Sequence, residues 1–160
     1  MKPKSHGFYR FFAWIDIVAL IVINSEMWFD NPLALKQIIS WTLLAIAIFM
    51  VIEGVALLQG IGRPDKNRLD DSLLGMEKTT RLVVVGLYKY VRHPLYSSLL
   101  FLAWGVFFKS ITVYTAILVG LATLGLVLTA RIEERENRAY FGSAYQEYMK
   151  KTRMFIPYIL

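Results

Sequence analysis

From Ile111 to Ala130 the chain runs for 20 residues without a charged side chain. As a helix rising 1.5 Å per residue this is about 30 Å, the thickness of bilayer hydrocarbon, so it reads as a membrane helix. The rest of the chain agrees. Of 160 residues 56% are hydrophobic, well above the globular norm, and the length suits one domain over residues 1–160 with no separate soluble module. There are no cysteines, which excludes a disulfide framework, a cysteine-ligated zinc site and a thiol nucleophile. The remaining possible metal ligands show no metal-binding spacing, so no metal site is expected.

Three further apolar stretches accompany that helix. Phe8 to Phe29 is mostly apolar and aromatic and long enough to span. Its basic flank, Met1-Lys-Pro-Lys4, resembles that of a signal peptide, but Asp16 and Glu26 interrupt the run and no small-x-small cleavage site follows, so a retained first span is expected. Asp16 would cost a few kcal/mol at mid-bilayer. It either faces neighbouring helices, snorkels, or serves a substrate or helix-pairing role. After the turn signal Asp30-Asn-Pro-Leu33, Ile38 to Leu58 forms a second span, broken only by Glu53, with Gly54 beside it allowing close backbone approach. Gly60-Ile-Gly62 is expected to cap that helix. It does not make a phosphate loop, since no strand precedes it and no Gly-Lys-Ser follows. A polar connection from Arg63 to Arg81 then mixes both charge signs as a solvated interfacial loop, and Leu82-Val-Val-Val85 reads as a short buried segment. Pro94 to Phe108 is apolar but only 15 residues, shorter than the hydrocarbon is thick. The deficit implies that the residues just before it dip into the membrane boundary, where irregular backbone persists only if it lines a protein cavity.

Beyond Arg131 the chain becomes charged and aromatic while keeping helical periodicity. Phe141, Tyr145 and Tyr148 fall on one face, and Pro157 ends the pattern. The expected architecture is therefore all-α: a polytopic membrane protein with about four membrane helices (8–29, 38–58, 94–108 and 111–130) and a C-terminal interfacial helix. Charge sets its orientation. Three Lys or Arg lie in the N-terminal flank, seven from Arg63 to Arg92 and six from Arg131 onward, against Lys36 and Lys109 alone in the two hairpins. By the positive-inside rule both termini and the middle loop face the cytoplasm. The net charge of +6 suits anionic lipid beside apolar spans rather than nucleic acid.

Two polar motifs sit at that face. Gly86-Leu-Tyr-Lys-Tyr-Val-Arg-His-Pro-Leu-Tyr96 gathers Tyr88, Tyr90, Arg92, His93 and Tyr96 around a helix start. Pro94 suits the first helical turn, whose free N–H groups attract an anion, Arg92 offers a bidentate fork, and His93 donates or accepts near neutral pH. Glu133-Glu134 closes the last span. Adjacent helical residues point about 100° apart, so one carboxylate faces a ligand while the other pairs, with Arg131 or Arg138 the nearby cations.

The order Tyr88-x-x-x-Arg92-His93-Pro94-x-Tyr96, an apolar hairpin, Glu133-Glu134, Phe141-Gly142-x-x-Tyr145-x-x-Tyr148, then Arg153 and Pro157 resembles one superfamily. It is that of integral-membrane, S-adenosylmethionine-dependent methyltransferases, including isoprenylcysteine carboxyl methyltransferases and phospholipid N-methyltransferases. The likeness covers residues 86–157. Ser98 stands where the family often has glycine, and Asn137 where it favours an apolar residue. The resemblance implies S-adenosylmethionine as cofactor and S-adenosylhomocysteine as product. It implies cofactor contacts from Gly86, Tyr88, Arg92, His93, Pro94, Tyr96, Glu133 and Glu134, and catalytic positions at Arg92, Glu134 and Arg153. Arg153, beside Lys150 and Lys151, has two readings: it holds an anionic acceptor group, or it belongs to a lipid-facing basic cluster. The acceptor would be a lipid or small hydrophobic molecule methylated on a carboxylate, amine or thiol at the cytoplasmic membrane face. Two other functions compete: an NADPH-dependent reductase akin to the sterol reductases, which are much larger, and a non-enzymatic membrane scaffold binding anionic lipid.

Overall fold

A computed structural model describes residues 4–63 and 79–159, so most of the polar connection, 64–78, lies outside the described residues. Five α-helices occur among the described residues: α1 (Lys4–Ile23), α2 (Leu35–Gly60), α3 (Pro94–Phe107), α4 (Val113–Phe141) and α5 (Ser143–Lys151). Short 3-10 turns at Ser25–Met27 and Gly86–Lys89 complete the regular structure. Among the described residues there is no β-strand; a parallel bridge joins Val91 and Arg153. α1 packs along α4 and α2 along α3, and α3 joins the two pairs by lying against α4.

The helices are inverted relative to a water-soluble bundle. Small residues fill their interfaces: a side chain at Gly125 would meet Tyr9 O and Ala13 Cβ of α1, and one at Gly105 would meet Leu44 of α2. Ala13, Ala103, Ala122 and Ala130 are buried among Ile17, Leu20, Val106 and Leu126. Large apolar side chains such as Phe11, Val22, Phe49, Ile52, Ile117 and Leu124 point outward instead. Close contact through small residues with an apolar exterior is the packing lipid selects. α2 and α4, of 26 and 29 residues, are each long and apolar enough to cross a membrane. The chain is thus an all-α protein with the character of an integral membrane protein.

Several element boundaries differ from those read in the sequence. α1 stops at Ile23 rather than continuing to residue 29, because Asn24 turns back on it, donating from its side chain to Leu20 O at 2.9 Å. α4 runs on to Phe141 instead of ending at Ala130, since nothing in the charged stretch breaks a helix before Gly142. Gly142 adopts φ 59°, ψ −132°, a conformation open to glycine and costly for other residues, and α5 departs there in a new direction. Of the expected buried segment 82–85 only Val83 is buried, with Leu58 and Tyr88, while Val84 and Val85 are exposed. Extended backbone sends alternate side chains to opposite sides. α2 ends at the expected Gly60-Ile-Gly62, where Ile61 and Gly62 donate to Leu57 O and Leu58 O.

One end of the molecule is closed by Lys109. It is fully buried; its Nζ donates to Gln37 Oε1 at 2.9 Å and Trp28 O at 3.2 Å and lies 3.6 Å from the Trp41 ring centre. This contact ties the α3–α4 turn to the α1–α2 turn. The motifs read from the sequence gather at the other end.

Candidate functional site

The Gly86–Tyr96 stretch is held by backbone before any side chain acts. Gly86 has φ +56°, and a Cβ there would fall 2.6 Å from Leu57 Cδ1 and 3.0 Å from Glu53 Oε1, so only glycine lets the 3-10 turn lie against α2. The following residues pair with the C-terminal segment: Arg92 N donates to Arg153 O (2.8 Å), His93 N to Met154 O (3.1 Å) and Arg153 N to Tyr90 O (3.0 Å). Ser97 Oγ donates to Phe155 O at 2.8 Å, and Tyr148 OH to Tyr88 O at 2.6 Å. Pro94 opens α3 at its first position, as its fixed φ and missing N–H favour.

This stitching sets Arg92 and His93 against the charged, C-terminal end of α4. Arg92 Nε donates to Glu134 Oε1 at 2.6 Å, and its Nη1 donates to Thr152 O at 2.6 Å and to Met149 O at 3.4 Å. Glu134 is buried and Arg92 nearly so. His93 sits between two carboxylates, with Nε2 3.5 Å from Glu134 Oε1 and Nδ1 3.8 Å from Glu133 Oε2. Both separations exceed a good hydrogen bond, and His93 Nε2 and Glu133 Oε2 are buried without a hydrogen-bond partner in the protein. The imidazole stacks on Tyr96, ring centres 5.6 Å apart.

These groups border a narrow cleft of about 60 Å³, open to solvent at its mouth. Tyr88, Arg92, His93, Tyr96 and Glu133 line it from the predicted set. Glu134 stands behind Arg92, so the carboxylate pair divides its work: Glu133 faces the cleft and Glu134 pairs, with Arg92 rather than Arg131 or Arg138. Arg138 Nε donates instead to the Glu134 carbonyl at 3.3 Å. Pro94 and Gly86 shape the backbone and do not line the cleft. Of the two readings open for Arg153, its position matches the basic cluster with Lys150 and Lys151. Its main chain is part of the stitching, but its side chain is exposed on the far side of α5, in a hollow with Tyr90, Lys150, Lys151 and Tyr158.

The sequence-based site omitted Asn137, Phe141, Tyr145 and Tyr148, which also line the cleft, while Leu58, Val83 and Leu95 line it beside Tyr88. The spacing of 141, 145 and 148 on one helical face was the available signal, although the helix actually breaks at Gly142 within it. Burial pushes the Tyr145 phenol far above its usual range, the Glu133 and Glu134 charges push it the same way, and Asn137 and Arg92 partly offset them. Burial likewise raises Tyr148. Both stay neutral hydroxyls at any ordinary pH. The two departures from the family pattern also have physical settings: Ser98 Oγ donates to Leu95 O at 2.6 Å within its own helix, and Asn137 lines the cleft beside Tyr145.

The arrangement supplies a cation, an imidazole nitrogen, a carboxylate oxygen and several aromatic rings to one partly enclosed space. That combination fits a small zwitterionic ligand carrying an aromatic group.

Comparison with known proteins agrees. The sequence model of the isoprenylcysteine carboxyl methyltransferase (ICMT) family matches residues 68–140, which include the Tyr88–Tyr96 motif and the Glu133-Glu134 pair. A methanethiol S-methyltransferase of Crocosphaera subtropica is 26% identical over 167 residues, covering 99% of this chain and 63% of the relative. Methanethiol S-methyltransferase 1 of Bradyrhizobium diazoefficiens is 28% identical over 58% of this chain and 32% of its own length. A methanethiol S-methyltransferase of Pseudomonas deceptionensis is 31% identical over 44% of this chain and 26% of its own length. The chain spans less than two thirds of the length of each. These matches bear out the likeness to ICMT-like membrane methyltransferases carried by the motifs.

Proposed function

We propose that this chain, a relative of the ICMT-like integral-membrane methyltransferases, transfers a methyl group from S-adenosylmethionine to a small hydrophobic acceptor, with a thiol the favoured acceptor group. The observation that carries the reading is the cleft in which Arg92, His93 and Glu133 converge, where His93 Nε2 and Glu133 Oε2 are buried without a partner in the protein. Buried polar atoms are rarely left unpaired unless a ligand or water completes them. The cofactor's carboxylate, amine, ribose diol and adenine supply the complementary groups.

When bound, S-adenosylmethionine supplies an activated methyl group, so the protein's work is binding, orientation, exclusion of water and handling of one proton. Arg92 offers the cleft its Nη2, since Glu134 and the α5 carbonyls engage Nε and Nη1. His93 Nε2 and Glu133 Oε2 serve as hydrogen-bonding groups, and either can take the proton that a thiol releases on methylation. Tyr88, Tyr96 and Phe141 provide faces for adenine and for the sulfonium. Tyr145 and Tyr148, neutral and buried, keep water from the inner wall. Glu134 acts through Arg92 as a positioning residue.

The thiol preference rests on the three methanethiol S-methyltransferases among the relatives, and the carboxylate alternative on the ICMT match. A single domain with four membrane crossings, both termini cytoplasmic and the cleft at that face completes the proposal.

Thermal unfolding of the purified protein with S-adenosylmethionine, S-adenosylhomocysteine or NADPH tests the cofactor. Stabilisation by the two sulfur compounds and not by NADPH is expected. Stabilisation by NADPH alone would replace the methyltransferase with a reductase, and no response to any of the three would leave the scaffold reading. Headspace detection of dimethyl sulfide from methanethiol, against methyl ester formation on an isoprenylated cysteine, then separates the two acceptor classes.

A further inference from the structure

α5 has two working faces, and the cleft uses only one. Tyr145 and Tyr148 are buried toward the cleft, and the carbonyls of Met149 and Thr152 accept from Arg92. The outer face carries Lys150 and Lys151 in its last turn, and Arg153 follows after the buried Thr152. With Tyr90 and Tyr158 these three cations border a surface hollow of about 210 Å³. Lys89 joins them, its Nζ 5.8 Å from the Tyr90 ring centre, and the Tyr90 and Tyr158 rings lie 6.3 Å apart. Glu147 is the carboxylate on this face, bonded to Lys150 at 2.6 Å. Beside the cations the chain turns outward: Tyr158 has φ +67° and is 81% exposed, and Ile159 is 78% exposed.

We infer that this hollow binds the headgroup of an anionic phospholipid, and that the bound headgroup pins α5 over the cleft. Charge complementarity is the first argument. Four cations against one already paired carboxylate concentrate positive potential in a concave site, and a phosphate diester accepts from several Lys and Arg donors at once. The second argument is the apolar shoulder. Tyr90, Tyr158 and Ile159 put two amphipathic rings and an aliphatic chain next to the cations, the composition expected at the boundary between headgroups and acyl chains. A site for free phosphate would gain nothing from that shoulder. The third is location, at the same end of the molecule as the polar termini of α2, α3 and α4. Arg153 makes the link mechanical: its main-chain N and O bond to Tyr90 O and Arg92 N, so a headgroup held by its side chain braces the segment that positions Arg92. The inference stands on surface geometry and does not depend on which reaction the cleft catalyses.

Hydrogen–deuterium exchange of the full chain in nanodiscs tests it, comparing phosphatidylcholine alone with the same lipid plus about 30 mol% phosphatidylglycerol. Amides of 143–158 should exchange roughly tenfold more slowly with the anionic lipid, and the protection should fade as salt is raised toward about 0.5 M. The triple variant Lys150→Gln, Lys151→Gln, Arg153→Gln should lose the difference while α2 and α4 keep wild-type exchange. Lys36→Gln, at the opposite end, should retain it. Equal protection in the two lipids overturns the inference. So does equal protection when inorganic phosphate is added to phosphatidylcholine discs, which would mark a free-anion site, and so does a triple variant that still responds to phosphatidylglycerol.

Discussion

Glu133 and Glu134 are neighbours with opposite duties, and the difference lies in what each oxygen touches. Glu134 is buried against Arg92 at 2.6 Å, an ion pair that also fixes the guanidinium toward the α5 carbonyls. Removing one partner of such a pair leaves a buried charge uncompensated, so Glu134→Ala should destabilise the protein by about 3 kcal/mol. Glu133 borders the cleft with Oε2 unpaired. Glu133→Gln should leave thermal stability within about 0.5 kcal/mol of wild type and weaken S-adenosylhomocysteine binding about tenfold, the loss of one charged hydrogen bond. Calorimetric titration beside thermal unfolding separates the two effects; equal behaviour of the two variants would contradict the assignment. Lys109 makes a similar distinction between charge and volume. Its partners are an amide oxygen, a carbonyl and two indole rings. Lys109→Ala removes stem and head together and should cost about 3 kcal/mol, whereas Lys109→Met keeps the packing volume and should cost about 1 kcal/mol. The reverse order in thermal unfolding would mean that the ammonium, not the packed stem, carries the contribution.

At the scale of elements, α5 is a short helix whose place depends on others. Nine residues do not sustain a helix in water, so its order comes from docking. The docking contacts are Tyr148 OH to Tyr88 O, the Arg92 bonds to Met149 O and Thr152 O, and the bridge between Val91 and Arg153. Tyr148→Phe deletes the first while keeping the ring, at a cost of about 1 kcal/mol, or more because the Tyr88 carbonyl is then left buried and unpaired. Exchange of the amides in 143–151 should rise in that variant while α4 remains protected. Unchanged exchange would show that α5 is held chiefly by the apolar side of the contact.

On the scale of the whole molecule, the two ends differ in kind. One end joins the α1–α2 and α3–α4 turns through buried Lys109. Because that ammonium is sequestered among Trp and Gln side chains, it does not act as a loop charge, and Lys36 is then the one basic residue of the two hairpins left outside the core. The opposite end holds Arg92, the charged terminus of α4, and α5. Charge asymmetry is therefore steeper in the folded molecule than in the sequence, which is in keeping with the proposed orientation. The absence of cysteine makes a direct test simple. Single Leu33→Cys and Ile111→Cys variants should react with an impermeant maleimide from outside intact cells, and Gln146→Cys only after permeabilisation. Labelling of all three from one side would exclude the proposed number of crossings.

What the sequence by itself determined was the helical, lipid-adapted character of the chain and the two polar motifs. Apolar run length and the spacing of Tyr88, Arg92, His93 and Tyr96 are local properties, set by helix rise, by proline at a helix start and by the cost of unpaired backbone in lipid. The spacing of Phe141, Tyr145 and Tyr148 pointed to a shared aromatic face, but the break at Gly142 that splits them between α4 and α5 was not read from it. The tertiary structure alone decided which carboxylate pairs with Arg92, that Lys109 is interior, and that the backbone of Arg153 braces the motif while its side chain leaves the cleft. Each of these depends on segments 40 to 80 residues apart meeting at distances near 3 Å. Adjacent residues on a helix differ in direction by about 100°, and only the neighbour each one meets fixes whether it binds a ligand or holds another side chain in place.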